Sequence, residues 1–255
     1  MVEGSGGDLA GRVFAVLGVG PGIGLATVRR LAEMGAVVAC IDIDAERAHA
    51  AAGLVGGFAI AGDLLSDTGF DEVMDAVQGA GRGPLRGVVD ILGGSIGGSL
   101  AEADIDLVTR NFDLNLKHAF HVVRRAGAMI GAAGGGSLTF VGSLAGVVSS
   151  PGQAVYGSAK AALHHLVRCA GVELGPTGVR VNAVAPGLVA TPRMIERFSA
   201  AEFEQVRRSS PLGRILEPQD IARVIAFLAS DMAMAVTSQT LVADGGFSAQ
   251  PRMFQ

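Results

Sequence analysis

Tyr156-Gly157-Ser158-Ala159-Lys160 holds the residue types in this chain best suited to moving a proton. On a helix, residues four apart share a face, so the ammonium of Lys160 is expected beside the phenol of Tyr156, favouring its ionised form. A phenol with an ordinary pKa of about 10 then becomes an acid or base usable near neutral pH. Composition sharpens the pair, because Tyr156 is the single tyrosine and Lys160 is one of two lysines against eighteen arginines. An exposed i,i+4 pair on a helix is the plain structural alternative, and the surrounding elements decide between the two.

Those elements belong to a chain of 255 residues with 49% hydrophobic content, enough to bury a large core as one domain. Thirty-eight glycines imply many tight turns and close backbone approaches. A net charge of -4 supplies no basic field, which argues against a nucleic-acid partner. Cys40 and Cys169 are far apart in sequence and neither has a second cysteine at metal-ligand spacing, so both read as buried free thiols in a reducing compartment. Met1 to Gly11 lacks the basic start and apolar run of a signal peptide and reads as a frayed tail ahead of a single domain at 12–255. No apolar stretch reaches the ~18 residues needed to cross a bilayer. The expectation is a soluble, cytoplasmic protein.

From Arg12 onward, short apolar runs alternate with helical patterns. Val13 to Leu17, Val37 to Ile41 and Phe58 to Ala61 read as strands; Gly22 to Met34 and Asp44 to Ala52 read as the helices between them. Strands apolar throughout, in βαβαβ order, predict a parallel sheet covered on both faces. Such sheets bind ligands beyond the carboxyl ends of their strands. Further on, Pro84 to Leu92 reads as a loop and fourth strand, Asp104 to Ile130 as one long helix, Ser137 to Val141 as the fifth strand and Tyr156 to Leu174 as another long helix.

The first strand-to-helix turn is Gly18-Val19-Gly20-Pro21-Gly22-Ile23-Gly24. Glycines let such a turn tighten, and the free N–H groups and dipole at a helix amino terminus attract pyrophosphate. The loop follows a strand, opens a helix and is succeeded by Asp42 at the end of the second strand, the context of a dinucleotide site. A carboxylate at Asp42 accepts hydrogen bonds from the adenosine ribose hydroxyls and repels a 2′-phosphate. No basic residue lies in the glycine loop or just after Asp42, so NAD is expected over NADP. The third strand ends in Gly62-Asp63-Leu64, where Asp63 either caps the next segment or stands beside the adenine.

Gly18-x-x-x-Gly22-x-Gly24 with Tyr156-x-x-x-Lys160 resembles the short-chain dehydrogenase/reductase family in its compact form, over essentially the whole chain. The resemblance implies a single-domain, Rossmann-like, doubly wound parallel sheet of about seven strands in the order 3-2-1-4-5-6-7. It places Ser143 at the catalytic serine and Asn115 at the asparagine behind the active site. Pro186-Gly187 with Val189 and Thr191 matches the segment around the nicotinamide, and Val242 to Gly246 the closing strand and turn. The departures are Leu17 for the usual threonine, Pro21 for the loop serine, and Gly94-Ser95 where the family commonly carries two asparagines.

By this resemblance Tyr156 exchanges a proton with the substrate oxygen, Ser143 stabilises charge on that oxygen, Lys160 holds the nicotinamide ribose, and Asn115 holds a water linking Lys160 to solvent. Cofactor contacts are expected from Gly18, Gly22, Ile23, Gly24, Asp42, Asp63, Leu64, Gly94, Tyr156, Lys160, Pro186, Gly187, Val189 and Thr191. The segment 191–212, with Met194, Ile195, Phe198 and Phe203, falls where the family has a mobile lid. With Ser95, Leu144, Val147 and Leu188, these side chains suggest a mainly apolar secondary alcohol or ketone as substrate, with Arg193 and Arg197 as unplaced candidates for an anion contact. Gly157, Ala161 and Ala162 give the last long helix a small face, and in this family the matching helices meet across subunits, which implies a homotetramer. His118 and His121, without a matched carboxylate or nearby cysteine, are not read as a metal site, and His164 and His165 are read as packing or subunit-contact residues. An epimerase or dehydratase on the same scaffold, or a non-catalytic NAD-binding redox sensor, is the alternative function.

Overall fold

In the computed structural model, which describes residues 8–249, the apolar runs form one seven-stranded sheet. Its strands are β1 (Val13–Leu17), β2 (Val37–Asp42), β3 (Phe58–Ala61), β4 (Leu85–Asp90), β5 (Gly136–Val141), β6 (Val179–Pro186) and β7 (Thr240–Ala243). Their order is β3-β2-β1-β4-β5-β6-β7, every pairing parallel, as the resemblance implied. Register pairs Leu17 with Ile41 on one side and with Asp90 on the other. The turns after β1, β2 and β4 therefore emerge side by side along one edge.

Eight helices cover the two faces: α1 (Ile23–Glu33), α2 (Ala45–Gly53), α3 (Asp67–Gly79), α4 (105–132), α5 (Ala154–Leu174), α6 (Pro192–Arg197), α7 (Ala200–Ser209) and α8 (Pro218–Ala229). Alternation along β1 sends Val13, Ala15 and Leu17 to one face, with Phe70, Met74, Phe140 and Leu163. Phe14 and Val16 go to the other, with Val28, Leu31, Ile221 and Ile225. Burying each such large side chain contributes roughly 1.5–3 kcal/mol. Side-chain caps start most of the helices: Asp44 accepts from Arg47 N, Ser66 from Gly69 N and Asp104 from Leu107 N. Helix α1 differs, opening at Gly22 with no side-chain cap.

Three expectations change. The helix read as regular from Asp104 to Ile130 is continuous over 105–132 but contains π-helical turns at Asp113–Lys117 and Val122–Ala126. In the first, Asn115 Nδ2 donates to Asn111 O at 3.0 Å, taking the carbonyl that a regular α-helix would offer to the backbone N–H of residue 115. The frayed tail does not extend to Gly11: Leu9 is wholly buried, and its N–H donates to Met34 O at 3.0 Å, while residues 1–7 lie outside the described residues. Cys40 is buried as expected, its thiol pushed up to about 12 by desolvation, but Cys169 is exposed, on the outer face of α5. No helix among the described residues is long and apolar enough to cross a membrane.

Candidate active site

The carboxyl ends of β4 and β5 and the first turns of α5 converge on the candidate chemistry. Ser143 follows β5 and Tyr156 sits half-buried in the first turn of α5, close enough for the Ser143 hydroxyl to act on its phenol, while Ser143 Oγ accepts from Ala145 N at 3.1 Å. Burial raises the phenol's pKa above its ordinary value, while the Ser143 hydroxyl and the nearby charge of Arg193 pull it back down. Lys160 enters differently from the sequence expectation. Its side chain is buried and Nζ donates to Val141 O at 3.0 Å, so the groups that favour the phenolate are Ser143 and Arg193. Desolvation pushes the Lys160 ammonium down to about 8, opposed by the buried carboxylate of Asp90.

Behind this pair lies the loop after β4. Asn115 accepts from Gly94 N at 3.0 Å through Oδ1 and donates to Gly94 O at 3.1 Å through Nδ2. An asparagine thus braces this loop after all, reaching from α4 rather than standing within the loop. A Cβ on Gly93, whose φ is +132°, would lie 2.6 Å from Asn115 Oδ1 and 2.9 Å from Lys160 Nζ. Glycine is required there to bring Lys160 and Asn115 together. Ser95 Oγ donates to Gln153 Oε1 at 2.9 Å, which places Gln153 on the wall of the site.

His164 is a positioning residue that sequence reasoning read only as packing or a subunit contact. Its ring is buried beneath the Ser143 loop, and Nε2 accepts from Ser143 N at 3.4 Å. Desolvation and the charges of Lys160 and Arg168 push it down to about 4, so it is a neutral acceptor near pH 7. Gly142 and Gly146 make room for it, since Cβ atoms there would come within 2.1 and 2.8 Å of its ring atoms. Those two glycines around Ser143 were the available sequence signal. His118 and His121 do have carboxylate partners, contrary to expectation, but different ones: Asp90 at 3.1 Å and Asp67 at 3.1 Å. Among the described residues no group of three or more potential ligands could hold a metal ion.

The glycine loop after β1 suits a dinucleotide. Gly18 and Gly22 take φ of +87° and +125°, and a Cβ on Gly24 would lie 2.2 Å from Gly18 O. The uncapped N–H groups at the start of α1 stay available to an anion, so the residues present fit a pyrophosphate-containing cofactor. Leu17, in place of the family's threonine, is core, and Pro21 is exposed in the turn. Asp42 is buried, accepting from Val19 N at 3.1 Å and from Asp44 N at 3.1 Å. Its other contact adds a basic group that lies beyond the glycine loop and the residues just after Asp42: Arg47 reaches back from α2 and donates to Asp42 at 3.0 Å. The signal was the spacing Asp42 to Arg47, across a turn and into the next helix. Asp63 accepts from Leu65 N at 2.9 Å in a turn ahead of α3, whose cap is Ser66, and Leu64 places its side chain in the core.

Pro186, Gly187 and Val189 follow β6, and Thr191 caps α6 by accepting from Met194 N at 3.3 Å. Thr191 Cγ2 lies 3.1 Å from the Cβ position of Gly22, which sets the base of the 191–212 segment against the glycine loop. The 191–212 segment carries two helices, α6 and α7. Phe198 between them is extended and packs edge-on against Phe203 at 6.1 Å, so that pair stabilises the segment itself. Met194 is half-buried and Ile195 exposed. Leu144 and Leu188 share a cleft of about 70 Å³ with Val206, Ile215 and Phe247. A larger cavity, about 430 Å³, lies at the opposite end of the sheet between Arg12, Arg86 and Arg180. Those arginines are already engaged by Asp231 and backbone carbonyls, and nothing there performs acid–base chemistry.

A parallel sheet in this order, with an uncapped glycine turn and a Ser–Tyr–Lys constellation at its carboxyl edge, defines a nucleotide-dependent oxidoreductase scaffold. The family model described as enoyl-(acyl carrier protein) reductase matches residues 18–248, and the chain belongs to the short-chain dehydrogenase/reductase family. It is 36% identical over 250 residues to 2,5-dichloro-2,5-cyclohexadiene-1,4-diol dehydrogenase of Sphingobium indicum, covering 95% of this chain and 99% of that one. It is 33% identical over 250 residues to cis-4-hydroxycyclohexanecarboxylate dehydrogenase of Sinomonas cyclohexanicum, covering 94% and 98%. Among solved structures, a 7α-hydroxysteroid dehydrogenase complexed with NADH and 7-oxoglycochenodeoxycholic acid superposes with a TM-score of 0.90 at 28% identity, covering 96% of this chain and 98% of that one.

Proposed function

We propose that the protein is an NAD(H)-dependent dehydrogenase/reductase interconverting a secondary alcohol and a ketone on a mainly apolar, ring-bearing small molecule. The observation that carries this reading is the convergence of Ser143 after β5 and Tyr156 at the start of α5, beside the loop where a Cβ on Gly93 would meet both Asn115 and Lys160. A bound nicotinamide would accept or donate the hydride. In the oxidative direction the phenolate of Tyr156 removes the hydroxyl proton, and in the reductive direction the phenol returns it. Ser143 donates to the reacting oxygen, where charge develops, and His164 fixes the loop that carries it. Lys160 would hold the nicotinamide ribose, and Asn115 would hold a water that links Lys160 to solvent.

Asp42 would accept from the adenosine ribose, while Gly18, Gly22, Ile23 and Gly24 hold the pyrophosphate. Arg47 is matched by Asp42 and by Asp44 at 3.4 Å, which leaves little free positive charge for a 2′-phosphate. NAD is therefore preferred in this reading. The names of the relatives support a ring-borne hydroxyl. A homotetramer through the outer faces of α4 and α5 completes the reading, with Phe120 and Val172 exposed there; Gly157 instead packs inward, its Cβ position 2.6 Å from Ala145 O. The test is to titrate NADH and NADPH, then follow NAD reduction across alicyclic, aromatic and steroidal alcohols. Tight NADH binding with turnover of ring alcohols supports the proposal. NADH binding with no turnover of any alcohol favours a redox sensor, and equal efficiency with NADP overturns the cofactor preference.

A further inference from the structure

Helix α6 carries two guanidinium groups over the loop after β4. Nη1 of Arg193 stands 2.6 Å from the point a Cβ on Gly94 would occupy, and Nη2 of Arg197 stands 3.6 Å from the equivalent point on Gly97. Four residues apart, they share one side of the helix. Gln153 Nε2 lies 3.6 Å from that same point on Gly97. Two guanidinium groups, which can only donate hydrogen bonds, therefore face residues 94–97, with the Gln153 amide beside them and Gly152 O 3.3 Å from the same point on Gly97. Neither arginine has a carboxylate partner among the described residues, whereas Arg207, Arg208 and Arg214, also in or beside the 191–212 segment, are each paired with Glu204 or Asp220. Gly94 explains how Arg193 fits. A residue with a side chain at 94, such as the asparagine this position commonly carries in the family, would occupy the space of the guanidinium.

We infer that Arg193, with Arg197 beside it, binds a carboxylate on the substrate, so that the substrate is a hydroxy or oxo acid with an apolar body. The planar guanidinium fork matches a carboxylate bidentately. This deepens the dehydrogenase reading and rests on it, since it places the acid group within reach of the hydroxyl presented to Tyr156. The cofactor's pyrophosphate is the other anion that an arginine in this region could meet. Its place is the start of α1, however, while Arg193 acts on the Tyr156 phenol and Arg197 stands by Gly97 and Gln153. The substrate end is therefore the one these groups serve.

The experiment titrates the full chain, with and without NADH, with cyclohexanecarboxylate and with its uncharged analogue cyclohexanecarboxamide. Wild type is expected to bind the carboxylate at least ~10-fold more tightly than the amide, as for a charge-assisted pair. Arg193→Ala should bring that ratio close to one, and Arg193→Lys should restore part of it. A wild-type ratio of one, or a ratio unchanged in Arg193→Ala, overturns the carboxylate site. NADH affinity that falls in Arg193→Ala while the ratio holds assigns the guanidinium to a cofactor phosphate and overturns it as well. A wild-type chain that binds no NADH yet keeps the ratio loses the dehydrogenase reading and keeps the carboxylate site. One that binds NADH with a ratio of one does the reverse.

Discussion

Two glycine-rich turns stand side by side at the carboxyl edge of the sheet, after β1 and after β4, and their glycines serve different ends. In the first, the missing side chain lets backbone approach backbone: a Cβ on Gly24 would lie 2.2 Å from Gly18 O. In the second, it lets side chains in. Gly93 admits Asn115 and Lys160, Gly94 admits Arg193, and across the site Gly142 and Gly146 admit His164 in the same way. The first turn shapes a cradle from the main chain and needs few particular side chains. The second is shaped by polar groups arriving from α4, α5 and α6, so its chemistry depends on which residues lie far away in sequence.

The comparison can be broken in order of expected effect. Tyr156→Phe keeps the ring and removes the proton, so turnover should fall at least ~100-fold with NADH affinity retained; wild-type-like turnover in steady-state assays would remove Tyr156 from the chemistry. Gly24→Ala forces a Cβ into backbone that has nowhere to move, and should cost about 3 kcal/mol of stability in denaturant titration together with cofactor affinity. An unchanged midpoint would show that the first turn is not tight.

His164 gives a pH test. Its folded pKa of about 4 lies below the unfolded value of about 6.5, so the unfolded chain binds the proton first as pH falls. Stability is full above about 6.5 and is lost toward pH 4, by roughly 2–3 kcal/mol at pH 4.5. Unfolding titrations at pH 7 and 4.5 should show that loss in wild type and not in His164→Gln; the same loss in both would remove His164 as its source. Gly93→Ala should strain the backbone at a φ of +132° and displace Lys160 and Asn115, lowering kcat about 10-fold. An unchanged kcat in Gly93→Ala would show that the second turn does not set the positions of Lys160 and Asn115.

Much of the frame was legible from local pattern. Apolar runs separated by helical patterns specified β1 to β3, and Gly18-x-x-x-Gly22-x-Gly24 followed by Asp42 specified a dinucleotide turn, because these features act over a few residues and carry their own physical reason. Ser143, Tyr156, Lys160 and Asn115 were nameable by resemblance. The helix over 105–132 was legible as a helix but not in its π-turns, the first of which depends on where Asn115 sends its amide.

What the sequence determined by itself, then, is the first strands of the sheet, the glycine turn after β1 and the Tyr156–Lys160 pair, set by periodicity and short spacings; the strand order and the candidates Ser143 and Asn115 came with the family resemblance. Tertiary structure decided the charge around them. Lys160 turns to Val141 O, Arg47 folds back on Asp42, His164 lodges under Ser143, and Arg193 fills the space that Gly94 leaves. Electrostatic partners are chosen by distance in space, and in a doubly wound sheet the residues that meet at the carboxyl edge come from turns far apart in sequence, as Gly94 and Arg193 do.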